Sequence, residues 1–583
     1  MILSPAPDRR TSLMLIEGGF IALAIAVAFC WPSLGSKYFS RIEQLFGRLA
    51  RRQGSAVATV GVTALLLRLA ILPLCPVPNP FIPNDFSFLL ASDTFASGRL
   101  TNPTPAMWTH FESIHITMKP TYMSMYFPAQ GLVLAAGKVL FGRPWFGVLC
   151  ASAMMCASIC WMLQAWLPPT WALLGGMLAV LRLGLFSYWI NTYSGGGSIA
   201  ALGGALVLGA LPRLMRTARL RYSLLLATGL ILLATTRPYE GILLCIPVAT
   251  VLGHWIFRGK NRPAPALLLR LAAAPLAMIV AAGAWMGYYN YRAFGSPVTP
   301  PYSIDRTTYA MAPYFVWQSQ RPEPVYRHAV MRRFYYEKEL SDFRKIHTPS
   351  GFLPQTLYKA MSGVVFFAGI ALLPPLIMLC RVLRDRRTRF LVVCVLVLTA
   401  GMLIEIYLVP HYLAPFTSAF YALGLQAMRH LRLWSPGGQP VGVGMVRLIV
   451  LSCIILAVFR TWAQPLHLRL AEWPTSQWID TWYGPGPFGS ERAHISAGLQ
   501  QLQGKQLVIV RYSSSHDPYD EWVYNAADIE NSKVVWAREM DAADDRDLID
   551  NYQDRRVWLV QPDSQPAQIS PYTLSPQQGA SLR

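Results

Sequence analysis

Apolar runs of about 17 to 25 residues, the length that crosses a bilayer as a helix, recur along the chain as far as residue 464. They fall near 13–31, 56–76, 145–167, 169–190, 192–211, 222–238, 240–257, 267–290, 359–379, 390–409, 411–428 and 447–464. The pattern predicts an all-α polytopic membrane domain over 1–464 with about twelve transmembrane helices. A shorter run, AQGLVLAAGKVLFG at 129–142, is expected to re-enter or lie on the surface. Lys and Arg gather in short clusters between the runs: Arg41, Arg48, Arg51 and Arg52; Arg213, Arg216, Arg219 and Arg221; Arg258, Lys260 and Arg262; five arginines over 381–389; Arg429 and Arg432. With twelve spans every cluster falls on the cytoplasmic side, as positive-inside topology requires. Counting 129–142 as a further span would throw the 213–221 cluster outside. The long loops 77–144 and 291–358, and the turns SYWINTYSGGG (187–197), TTRPYEG (235–241) and VPHY (409–412), then share the opposite face.

The pattern changes at 465. KQLVIVRY (505–512), KVVWARE (533–539) and RRVWLVQPD (555–563) read as short buried strands, with helix-like stretches at 520–530 and 541–553 between them. Alternating strands and helices predict a small α/β domain with a parallel sheet over 465–583. The charge shifts at the same place, since these 119 residues hold 16 of the 30 acids but only 10 of the 51 bases. Following the last span, this domain is expected outside the cytoplasm too.

At 53% hydrophobic and 14% charged, with mean hydropathy +0.34, the chain is too apolar for a soluble protein of its size. Its net charge of +21 follows the loops rather than one basic face, so no nucleic-acid partner is expected. The nine cysteines all lie in or beside apolar runs, with neither a disulfide nor a zinc pattern. The run 13–31 after Arg9 and Arg10 lacks a signal-peptide cleavage site and is read as a retained span. His516, Asp517, Asp520 and Glu521 in SSSHDPYDEW read as a solvated loop, and no metal site is expected. Phosphate-loop, dinucleotide, zinc-protease and nucleophile-elbow motifs are absent from the sequence.

Candidate chemistry concentrates in FIPNDFSFLLASDTFASGRL (81–100), which carries Asp85 and Asp93 directly after an apolar run. Only fourteen acids precede residue 465, and ionisable groups at a membrane edge are costly and tend to be functional. The plainer reading makes Asp85 the cap of a helix starting at Phe86. Arg237 follows a run, with Pro238 expected to end that helix and to leave Tyr239 and Glu240 at the outer mouth. Its plainer reading is a pair with Glu240. His411 and Tyr412 add hydrogen-bond donors, Lys119 binds phosphate or only snorkels, and Glu112 supplies a further carboxylate in the first loop. Gly195, Gly196 and Gly197 suit close packing.

PNDFSFLLASDTFASGRLTNP (83–103), followed by HFESIHITMKPTYMSMYFPAQG (110–131), resembles the GT-C superfamily of polytopic glycosyltransferases. The resemblance covers roughly 56–430 and is nearest to glycosyltransferase family 39, with its protein O-mannosyltransferases and lipid A aminoarabinose transferases. It implies a catalytic carboxylate in the first large external loop and a sugar donor on a polyprenyl phosphate. The family pattern has two adjacent acids. This chain has Asn84-Asp85, so only Asp85 carries over, with Asp93 and then Glu112 next in line. A single carboxylate base suits an inverting displacement. The departing phosphate needs cations and donors, for which Arg237, Lys119, His411 and Tyr412 are candidates, while Glu112, Tyr239 and Glu240 are candidate substrate contacts. The expected function is a hexosyl or pentosyl transferase of the plasma (inner) membrane. Its acceptor would be a glycan, lipid or protein, and it needs no organic cofactor, a divalent cation being left open. The alternative is a transporter or lipid flippase, against which stands the lack of an internal repeat.

Overall fold

The computed structural model describes residues 11–258, 262–463, 465–466, 470–471 and 489–573. Arg9, Arg10, Lys260 and most of 465–488, on which expectations were placed, lie outside the described residues. The membrane part is helical, and among the described residues six helices are long and apolar enough to cross a bilayer: Gln53–Ala70, Trp145–Trp166, Gly197–Thr217, Pro238–Phe257, Pro265–Phe294 and Val441–Ala463. Pro374–Arg384 and Arg389–Ile404, bent by 109°, make a seventh if taken together. Leu15–Cys30, Pro128–Phe141, Pro169–Gly184 and Leu220–Ala234 are apolar but shorter.

Several expected runs are apolar throughout yet not helical throughout. The run 192–211 forms helix only from Gly197, because Gly195 (φ +87°) and Gly196 (φ +61°) hold a left-handed turn. The run 359–379 breaks after Phe367, with Gly369 at φ +58°. Its loosened carbonyls at Val365 and Phe366 are taken by Arg182, and the Ile370 amide by Glu17 at 2.7 Å. Arg182 in turn lies 3.2 Å from Glu17. Backbone broken at membrane depth needs such partners. The run 411–428 opens as a 3₁₀ segment, Pro410–Phe416, before its α-helix Thr417–Arg432.

The described tail forms a four-stranded sheet ordered Val534–Arg538, Lys505–Val510, Arg555–Gln561, Gln568–Pro571. The first three strands are parallel and the last antiparallel. The helix expected at 541–553 is present as Ala542–Asn551, capped by the Asp541 side chain. The helix expected at 520–530 is absent. Val534–Arg538 is an edge strand, and the 520–530 segment covers that edge. The Asn525 side chain accepts from the Trp536 amide at 2.8 Å and donates to the Trp536 carbonyl at 2.7 Å, while Trp522 and Val523 are buried.

The sheet does not stand apart from the membrane part. One face packs Leu507, Ile509, Val535 and Ala537 against Leu90, Phe111, Ile116, Met118 and Tyr122 of the 77–144 loop in a single apolar core. Arg538 completes the joint, pairing with Glu521 at 2.7 Å and donating to the Glu112 carbonyl at 2.6 Å. Arg492 lies 4.7 Å from the ring of Phe86, the residue after Asp85, and Tyr524 stacks on that ring at 4.7 Å. A chain ended at residue 466 would expose this shared core, each large buried side chain being worth about 1.5–3 kcal/mol. It is expected to aggregate on size-exclusion chromatography. A monodisperse product with the melting temperature of the full chain would contradict the shared core.

Candidate active site

Two helices start in the same way. Pro83–Ala96 has Pro83 at its first position and Asp85 in its first turn; Pro238–Phe257 has Pro238 first and Glu240 in its first turn. Proline suits that position because its missing N–H has no helical partner to lose, and an acid in the first turn faces the positive end of the helix dipole. Both local expectations are thereby corrected. The Asp85 helix begins at Pro83 with Ile82 as the N-cap residue, so Asp85 does not cap a helix starting at Phe86. Pro238 opens the following helix with Arg237 as its N-cap residue, whereas the preceding helix already ends at Ala234.

The 187–197 turn joins these two helix starts. Asp85 Oδ1 accepts from the Tyr193 amide at 3.0 Å, and Oδ2 accepts from the Phe81 amide at 3.4 Å. Arg237 Nη2 donates to the Gly195 carbonyl at 3.2 Å. Because Tyr193 and Gly195 are two residues apart, the carboxylate and the guanidinium lie within about 16 Å of each other. Gln130 donates to the Tyr193 carbonyl at 2.9 Å, and the Ala129 amide reaches the Thr235 carbonyl at 3.2 Å. His411 packs on Gly195 so closely that a Cβ there would come within 2.9 Å of its Nδ1. Tyr188 OH fixes that same nitrogen at 2.6 Å. At this place the glycines make close packing and a turn.

Asp85 is 1% exposed. Burial pushes its carboxyl up to about 7, against the pull of the Tyr193 and Phe81 amides. Such a group is poised between acid and base near neutral pH.

Arg237 is buried. Its guanidinium carbon sits 4.6 Å from the Tyr412 ring centroid, and Nη1 is 3.9 Å from Glu240, at the outer limit for an ion pair. Tyr239 OH donates to the Gly401 carbonyl at 2.9 Å and packs against Phe315. Asp85, Arg237 and His411 thus meet one turn, Tyr412 and Glu240 reach it through Arg237, and Tyr239 is directed away to Gly401.

Three other candidates lie elsewhere. Asp93, two helical turns beyond Asp85, pairs with Lys138 at 2.7 Å. Lys119 is exposed, its Nζ 4.3 Å from the Trp108 ring centroid. Glu112 is buried in the joint between loops and tail, accepting from Tyr309 OH at 2.7 Å and Arg327 at 3.2 Å.

The structure adds residues that the sequence reading passed over. Glu405 is 7% exposed, and among the described residues its Oε2 has no hydrogen-bond partner. The 314–316 and 404–406 segments pair beside it, the Ile406 amide donating to the Tyr314 carbonyl at 2.8 Å. Lys359 donates to the Glu405 carbonyl. Tyr302 lies 5.6 Å from Tyr126 and 5.3 Å from Phe127, ring to ring. A signal for Glu405 was present: it is one of the fourteen early acids and lies inside the apolar run 390–409, where a charge is costlier than at the membrane edge beside which Asp85 stands. The tyrosines carried no such signal.

Lys359 also lines a cavity of about 400 Å³ between Pro349–Phe367, Arg389–Ile404 and Thr417–Arg432. Its other walls are almost wholly apolar, among them Phe367, Leu398, Met402, Leu413 and Phe420. Among the described residues no three His, Cys, Asp or Glu side chains gather to hold a metal ion. His516 pairs with Asp563 at 2.8 Å, and Glu521 with Arg538.

No family model and no curated protein sequence matches this chain. Solved structures match over 87% of it. An oligosaccharyltransferase of Archaeoglobus fulgidus, tethered to an acceptor peptide, is 10% identical, with 68% of its own chain covered and a TM-score of 0.46. ArnT of Cupriavidus metallidurans bound to undecaprenyl phosphate is 15% identical, with 92% covered and a TM-score of 0.46. The same ArnT in its apo state gives 14%, 92% and 0.47.

Proposed function

We propose that this chain is an integral membrane glycosyltransferase of the GT-C kind, moving a sugar from a polyprenyl-phosphate donor to an acceptor on the extracytoplasmic face. In this reading Asp85 takes the proton from the attacking hydroxyl while the sugar–phosphate bond breaks with inversion. Arg237 faces the departing phosphate with the planar fork that suits it, and Tyr412 and His411 complete that side. The polyprenyl tail lies in the apolar cavity ending at Lys359. About twelve crossings, with 77–144, 291–358 and 465–583 outside the cytoplasm, complete the topology. The observation that carries the reading is the 187–197 turn, which holds a buried carboxylate on one residue and a buried guanidinium two residues later.

A flippase draws some support from the ion cluster of Glu17, Arg182 and Arg460 inside the helical body. Arg182 and Glu17, however, are engaged in holding the broken segment after Phe367, a structural task, and Arg460 lies 3.5 Å from Glu17.

The test is transfer from a panel of radiolabelled undecaprenyl-phosphate sugars by the full chain in nanodiscs made from native membrane lipid extract, which supplies acceptors. At least one donor is expected to be consumed, giving a product of inverted anomeric configuration. Consumption of none, or movement of intact donor across a bilayer, would remove the reading. A reporter fused after residue 583 that works only in the cytoplasm would overturn the topology.

A further inference from the structure

His115 sits in the 77–144 loop and is 93% buried, being 7% exposed. Among the described residues it is one of two non-glycine residues with positive φ, at +65°, where it holds the third position of the turn closed by the Ile116 amide on the Ser113 carbonyl at 3.2 Å, a left-handed conformation that histidine visits more readily than most residues. Further contacts hold this turn in place. Its carbonyl accepts from Ser87 Oγ at 2.6 Å and from the Met125 amide at 3.2 Å, and its own amide donates to Tyr335 OH at 3.4 Å.

The ring is pinned as firmly. Nδ1 lies 2.9 Å from the side-chain oxygen of Asn84, the neighbour of Asp85, and 3.0 Å from Tyr126 OH. The Phe334 ring packs edge-on at 5.2 Å. Tyr126 continues to Tyr302, so His115 bridges the Asp85 helix start and the tyrosines near Arg237. Among the described residues its other nitrogen, Nε2, has no partner. Burial, helped by the Arg306 charge, pushes the imidazole down to about 3, so near neutral pH it is an uncharged hydrogen-bonding group.

We propose that His115 is a substrate-contact residue of this site, its Nδ1 locked by Asn84 and Tyr126 and its Nε2 left to hydrogen-bond a hydroxyl of the transferred sugar or of the acceptor. The inference rests on the transferase reading. A buried ring whose Nδ1 is held by two partners while Nε2 has none among the described residues is what a ligand contact explains.

Three variants of the full chain in the same nanodiscs decide it. His115→Gly relieves the positive φ but empties the ring's place beside Asn84, Tyr126 and Phe334, so it is expected to melt below native while transfer falls at least tenfold. His115→Asn keeps a polar group at the Nδ1 position and tolerates positive φ; His115→Gln places one near the Nε2 position. A substrate contact predicts that Gln restores more transfer than Asn. A packing role predicts the reverse, and that result overturns the proposal. A raised KM for the undecaprenyl-phosphate sugar in His115→Gln assigns Nε2 to the donor. An unchanged donor KM with slower turnover assigns it to the acceptor hydroxyl. Native protein that turns over no donor would sink the transferase reading and this proposal together, whereas active native protein with Asn-rescued variants would sink this proposal alone.

Discussion

Asp85→Asn is expected to leave a folded, membrane-inserted protein whose sugar transfer has fallen on the order of a hundred- to ten-thousand-fold, the usual cost of losing a general base. The amide keeps an oxygen for the Tyr193 amide, 3.0 Å away in the native chain, but has no site for the acceptor's proton. Stability should move the other way. An unfolded aspartate titrates near 3.9, while burial lifts folded Asp85 to about 7. Between those values the folded chain holds a proton that the unfolded chain has released. The stability from this group is therefore complete below about pH 4 and lost as pH rises through about 7. Asp85→Asn should melt higher than the native protein at pH 8 and show a flatter dependence between pH 4 and 7. Asp305, also lifted to about 7 by burial, keeps part of that slope. Catalysis has the opposite limb, because the base must be ionised: kcat/KM should climb with pH through about 7. Near-normal turnover in Asp85→Asn, or a pH profile flat across 5 to 8, would move the base to another residue.

Arg237→Lys and Arg237→Ala are expected to weaken the binding of undecaprenyl phosphate, Ala by roughly 1.5 to 3 kcal/mol if one charge-assisted hydrogen bond is lost, which is about ten- to a hundred-and-fifty-fold. Ala should also cost stability, since it removes the cation beside buried Glu240 and the donor to the Gly195 carbonyl. Lys separates the two effects. It keeps the charge near Glu240 but not the planar fork, so the fold should hold while lipid affinity falls. If Arg237 serves only Glu240, Glu240→Gln should damage stability as much as Arg237→Ala and leave lipid affinity untouched in both. The 3.9 Å separation within that pair, against 3.2 Å to the Gly195 carbonyl, favours the first outcome. Binding of radiolabelled undecaprenyl phosphate and melting temperature, measured on all three variants, decide between them.

Glu405 and His115 show where sequence reasoning stopped. Glu405 stands inside the apolar run 390–409 and Asp85 beyond the end of 56–76, so both are acids in or beside a membrane segment, and hydropathy alone does not tell which of them reaches a site. No comparable signal existed for His115, whose place depends on Asn84, Tyr126 and Tyr335, residues up to 220 positions away in the chain.

By itself the sequence determined the helical membrane class, the three parallel strands of the tail and the helix at 542–551, because apolarity and local periodicity are properties of neighbouring residues. It also placed a carboxylate at Asp85 and a guanidinium at Arg237. It did not determine helix continuity. Hydropathy sums side chains, whereas the breaks at Gly195, Gly196 and Gly369 lie in backbone angles that burial and partners such as Arg182 and Glu17 hold in place. Nor did it show that the tail seals the 77–144 loop, or that 520–530 lies along a strand edge, since both answer to polar and apolar groups far off in sequence. Only the tertiary structure brought Asp85 and Arg237 onto one turn, because the Tyr193 amide and Gly195 carbonyl that hold them are backbone groups, which every residue carries and no side-chain pattern reveals.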